Sequence, residues 1–199
     1  MEGARPPVKE TIEFARIVAF TDGVFAIAIT VLVLGIDVPD ELPDDGLDDF
    51  LLDSWRQLFA YFLSFAVIGR FWLSHHQVFA TLHDFDRRLL VLNLVYLSFL
   101  VLIPFPTNLL GEYGSEPEPV AVYAFVIGSV SLLSWGMLRY ALRRGHVGEG
   151  LRAEATAMAS GALFPALVFF ASIPIALLSP TVAQLAWLTL LLGALRRPR

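Results

Sequence analysis

The chain has 199 residues, of which 56% are hydrophobic and only 17% charged, against about a quarter charged in an ordinary soluble domain. It has no cysteine and a net charge of −5, which excludes a disulfide-stapled domain, thiolate metal sites and cysteine nucleophiles, and argues against a nucleic-acid partner. So much apolar surface also excludes a disordered chain, leaving a very apolar soluble protein or an integral membrane protein, and the placement of the charges decides.

A transmembrane helix needs about 20 predominantly apolar residues. The first candidate, 14–36, carries a single acid, Asp22. The second, 55–74, has Arg56 and Arg70 near its ends, where long side chains reach the headgroups. From Leu89 to Gly111 no residue is charged for 23 positions, and from Pro119 to Leu138 none for 20. These runs predict the spans 89–110 and 120–139, with Pro104 and Pro106 ending the former. From Ala155 to Leu195 no residue is charged for 41 positions, about twice the length of one span. Ser179-Pro180 divides that run into 157–178 and 181–195, and Pro165 and Pro174 are candidate breaks in the fifth span. The sixth is short, and Arg196, Arg197 and Arg199 mark its interface. No cleaved signal peptide is expected, because the first apolar run starts late and ends in Gly-Ile-Asp-Val-Pro. The expected architecture is an all-α integral membrane protein, a single domain over 1–199 with six transmembrane helices.

Thirteen of the fourteen basic residues fall on one side of these spans: Arg5, Lys9 and Arg16; Arg70, Arg87 and Arg88; Arg139, Arg143, Arg144 and Arg152; and the three C-terminal arginines. Arg56 alone falls on the other. The positive-inside rule then makes both termini cytoplasmic, as an even number of spans requires, in a multi-pass cell-membrane protein. Eleven acids mark the outer side: Asp37, Asp40, Glu41, Asp44, Asp45, Asp48, Asp49 and Asp53 around the first loop, and Glu112, Glu116 and Glu118 in the next. They read either as a solvated loop or as a vestibule that concentrates cations.

The first span is unusual. Arg16, Phe20 and Gly23 share a face at i, i+4, i+7 spacing, and Ile27, Thr30 and Leu34 continue it toward the outer side. Thr30 on such a face reads equally as a helix–helix contact with its hydroxyl on its own backbone. Asp22 lies inside the span, where a carboxylate needs a partner. His75, His76 and Asn93 lie at its level, and one of the histidines is the expected partner. Asp22 is then a packing anchor or, alternatively, an ion ligand.

Arg16-x-x-x-Phe20-Thr21-Asp22 resembles the R-x-x-x-F-S/T-D signature of the prokaryotic branch of the TMEM175 family of potassium channels, with Thr21 in place of the commoner serine. The following Gly23 to Thr30 segment, Phe71-Trp72-x-x-His75-His76-x-x-Phe79, Leu92-Asn93-Leu94 and Ile103-Pro104-Phe105-Pro106-Thr107 also look like that family, so the resemblance covers the first 110 residues. It implies a homotetramer of six-helix subunits with a pore lined by the first helix. It implies an apolar constriction at Ile27 and Leu34, a hydroxyl layer at Thr30, and modest selectivity for potassium over sodium. Arg16, Phe20 and Asp22 would hold the first helix through polar residues of the second and third. The partners implied are monovalent cations, other copies of the chain and the bilayer, with no cofactor.

Other classes fare worse. His75 and His76 are adjacent and point about 100° apart on a helix, so no metal site is expected from them. His83, Asp84 and His146 lie in connecting loops. A histidine could act as a pH sensor, but nothing in the sequence selects one. There is no Gly-x-Ser-x-Gly elbow or Gly-x-Gly-x-x-Gly loop, so an enzyme is not expected. The alternative to a channel is a proton- or cation-coupled secondary transporter, although no internal repeat is visible. Trp55, Tyr61, Tyr113, Tyr123 and Tyr140 are read as interfacial belt residues.

Overall fold

A computed structural model of the chain describes residues 8–36 and 54–195. The acidic loop 37–53, Arg5 and the C-terminal arginines lie outside the described residues. Among the described residues the chain is helical between short connections: α1 (Val8–Val31) running into a 3-10 turn (Leu32–Gly35), α2 (Trp55–Ala80), α3 (Arg87–Leu100), α4 (Pro104–Tyr113), α5 (Pro117–Arg144), a 3-10 turn (Glu149–Leu151), α6 (Arg152–Ala176) and α7 (Pro180–Leu195). Among the described residues, five segments are long and apolar enough to cross a membrane: Glu13–Gly35, Trp55–Ala80, Arg87–Tyr113, Pro117–Arg144 and Glu149–Ala176. The sixth, α7, has 16 residues, about 24 Å at about 1.5 Å per residue, short of the roughly 30 Å hydrocarbon layer.

The helix ends follow local chemistry. Asp86 caps α3, its side chain accepting from Leu89 N at 2.8 Å. At the end of α5, Gly145 takes the left-handed conformation at φ 79°, which a residue without Cβ adopts freely. His146 N then closes on Ala141 O at 3.0 Å. The prolines behave differently from expectation. Pro104 does not end the third span but starts a second helix within it. Leu102 N and Ile103 N bond three residues back, to Phe99 O and Leu100 O, tightening the turn so that Pro104 takes a first helical position that needs no N–H. Nor do Pro165 and Pro174 break α6, which runs through both. Each removes only one ladder bond, whereas unravelling in an apolar setting would strip partners from several backbone groups.

The core lies along α5, whose Val120, Tyr123, Ala124, Ile127 and Val130 are fully buried. Tyr123 is therefore not an interfacial belt residue. Its ring stacks on Trp187 at 5.1 Å and its hydroxyl meets Ser64 Oγ at 3.1 Å. Thr107 Oγ1 donates to the same Ser64 oxygen at 2.7 Å, which ties α2, α4 and α5 together inside the bundle. At the basic end the α2–α3 and α5–α6 connections are clasped by the isolated bridge between Leu82 and Val147. His83 N bonds His146 O and Gly148 N bonds Thr81 O. Helix α1 sits at the edge, packed chiefly on α2 and α3.

Candidate pore helix and its anchoring network

Helix α1 has two faces. Thr21, Phe25, Ala28 and Leu32, at helical spacing, are buried against the bundle. The opposite stripe is uncovered over its whole length: Phe20 is 56% exposed, Ile27 63% and Leu34 76%, and Arg16, Gly23 and Thr30 are exposed with them. A Cβ added at Gly23 would meet nothing within 4 Å. Thr30 donates its hydroxyl proton to Ile27 O at 2.9 Å, so its oxygen lone pairs remain available on the uncovered side. At the far end Gly35 lies so close to Asn108 of α4 that a Cβ there would displace the exposed Asn108 side chain.

The inner face is anchored by a buried polar chain. Asn93 Nδ2 donates to Thr21 Oγ1 at 3.0 Å, and Asn93 Oδ1 meets His75 Nε2 at 2.9 Å. An amide oxygen only accepts, so His75 carries its proton on Nε2. The His75 ring lies between aromatic neighbours, 4.1 Å from the Phe79 ring and 5.4 Å from that of Tyr96. Asp22 takes a different partner from the one expected. Its Oδ1 accepts from the Trp72 indole N–H at 2.9 Å, and neither histidine nor Asn93 reaches it. Successive helix residues point about 100° apart, so Thr21 faces the core while Asp22 sits at its rim. Helix α2 runs antiparallel to α1, which sets the deeper Trp72, one turn before His75, beside Asp22. His76 is exposed, with its ring 6.0 Å from that of Trp72.

Residues 16–104 match the family described as endosomal/lysosomal potassium channel TMEM175. A potassium channel of Streptomyces collinus is 41% identical over 139 residues, covering 68% of this chain and 68% of that protein. One of Chamaesiphon minutus is 39% identical over 129 residues, covering 62% of this chain and 64% of the relative. The crystal structure of a lysosomal potassium-selective channel TMEM175 homolog from Chamaesiphon minutus superposes with a TM-score of 0.84 at 30% identity, over 92% of this chain and 97% of that one. The chain belongs to the TMEM175 family.

Within this TMEM175-family chain, Arg16 and Phe20 do not join the anchoring network. Both lie on the uncovered stripe, and among the described residues Arg16 forms no ion pair. Thr21 and Asp22 thus bond α1 to α3 and α2, while Arg16 and Phe20 face away from the bundle. A second polar cluster at the basic end was not anticipated. Asp86 accepts from the Tyr140 hydroxyl and lies 3.5 Å from His146 Nε2, while Asp84 lies 3.4 Å from His146 Nδ1. The Tyr140 hydrogen bond first, and then the Leu89 N–H and His146, lower the Asp86 carboxyl from its ordinary value, against an opposing cost of burial that is second in size to the Tyr140 bond. The only sequence signal for it was an Asp just before an apolar run, the mark of a helix cap. Among the described residues no three His, Asp or Glu side chains converge as a metal site would need.

Proposed function

We propose that this chain is a potassium channel whose pore is built from α1 of four identical subunits in a bacterial plasma membrane. The uncovered stripe of α1 carries the reading. One helix cannot enclose a pore, and cyclic symmetry repeats each residue of the stripe as a ring. Rings of Ile27 and Leu34 would lie about 10 Å apart along the axis, each able to stop ions by dewetting. Between them a Thr30 ring offers oxygen lone pairs, because its protons are spent on Ile27 O. Such a passage supplies few oxygens to replace hydration, so it favours the cation that sheds water more cheaply, potassium over sodium, and by a modest factor. The acids of 37–53 and of the Glu112–Glu118 segment would concentrate cations at the outer mouth. The relatives named as potassium channels support the same reading.

The test is ion flux in liposomes containing the purified chain, with potassium, sodium and proton gradients run in parallel. Potassium flux that exceeds sodium flux and needs no proton gradient is the expected result. No potassium flux, or flux coupled to protons, would overturn it.

A further inference from the structure

A cleft of about 370 Å³ opens between α3 and α5, lined by Arg87, Arg88, Val91, Leu92 and Tyr140. The cleft is open to one side and its chemistry is layered. Arg87 and Arg88 open the Arg87–Tyr113 span, and Tyr140 lies one turn before the end of the Pro117–Arg144 span, which is the level of the headgroups. Val91 and Leu92 stand one turn deeper, each four residues beyond an arginine, and Val91 is half exposed. The result is a cationic rim over an apolar floor.

The rim charge is available. Among the described residues neither arginine forms an ion pair. The nearby Asp86 carboxylate is already held by Tyr140, Leu89 N–H and His146, and it caps α3, so the helix end is satisfied without a ligand. Arg144 adds a third cation, its guanidinium 5.7 Å from the Tyr140 ring centre. We propose that this cleft binds the headgroup of an anionic phospholipid, with Arg87 and Arg88 on the phosphate and an acyl chain laid along Val91 and Leu92. Charge complementarity picks the occupant: paired, unneutralised arginines at headgroup depth fit a phosphodiester, whose tail the adjoining apolar wall accommodates.

Native mass spectrometry of the full chain in detergent tests this by counting lipid retained per subunit, with phosphatidylglycerol, phosphatidylcholine and inorganic phosphate as probes. Phosphatidylglycerol should be retained over phosphatidylcholine, and inorganic phosphate should not displace it. Joint Arg87→Gln and Arg88→Gln substitution should weaken its retention about thirtyfold. Arg139→Gln, on the same rim but outside the cleft, should leave it unchanged. Joint Arg87→Lys and Arg88→Lys substitution should keep most of it. If the glutamine pair does not fold, Val91→Glu serves instead, since a carboxylate on the floor should expel the lipid with both arginines intact. Equal retention of the two lipids, retention untouched by these substitutions, or displacement by inorganic phosphate would overturn the proposal. So would efficient cross-linking of Leu92→Cys between subunits, which would mean that the cleft holds a second copy of the chain.

Discussion

Replacing Asn93 of α3 with leucine should cost more stability than any other single polar-to-apolar change in the network that anchors α1. Asn93 is 1% exposed, and its amide makes both links of the chain, to Thr21 at 3.0 Å and to His75 at 2.9 Å. Leucine would leave two buried groups without partners, each costing about 1–3 kcal/mol. Polar pairs in membrane helices fall toward the low end, with couplings that average about 0.6 kcal/mol. A loss of about 2–4 kcal/mol is therefore expected for Asn93→Leu, and about 1 kcal/mol of coupling with Thr21→Val in a double-mutant cycle. The assay is unfolding of the full chain in mixed micelles, followed by tryptophan fluorescence. Additivity of Asn93→Leu and Thr21→Val within about 0.3 kcal/mol would refute the bond, because a hydrogen-bonded pair must couple.

Ile27→Asn should raise single-channel conductance severalfold, since a polar ring keeps the constriction wet; unchanged currents in planar bilayers would remove Ile27 from the gate. Thr30→Val preserves shape and deletes the oxygen, so the potassium-to-sodium permeability ratio should fall, read as a shift of reversal potential under bi-ionic conditions. The lowered Asp86 carboxyl stabilises the fold above the ordinary carboxylate range, and that contribution is lost as pH falls through its folded value. Tyr140→Phe removes the largest cause of the lowering, so the variant should melt lower than the parent at neutral pH and lose less melting temperature on acidification, the two profiles converging at low pH, and parallel profiles would exclude the Tyr140–Asp86 bond.

The membrane-spanning character, and which residues of the first helix share a face, were legible in the residues because both depend on periodicity and on where charge can be tolerated. The stripe of Phe20, Ile27, Thr30 and Leu34 follows from spacing alone, and the helix leaves it uncovered. The partner of Asp22 was not legible. His75, His76, Asn93 and Trp72 all lie within about a turn of the right depth, and only the antiparallel docking of α2 on α1 selects the indole. Tyr123 was misplaced for a similar reason. Its position near a span end suggests an interface, but the hydroxyl of Ser64, 59 residues away in sequence and itself bonded by Thr107, satisfies it in the core. Pro104 reads as a stop in one dimension and becomes a start once the preceding turn tightens.

By itself, the sequence determined that this chain lives in a membrane, which end of it is basic, and which residues of α1 share a face, since hydrophobic burial and helix pitch are properties of neighbouring residues. Tertiary structure decided which side of α1 is anchored and by whom. A buried hydrogen bond depends on atoms approaching within about 3 Å, and whether Asp22 meets Trp72, or Thr21 meets Asn93, is set by how helices far apart in the chain dock.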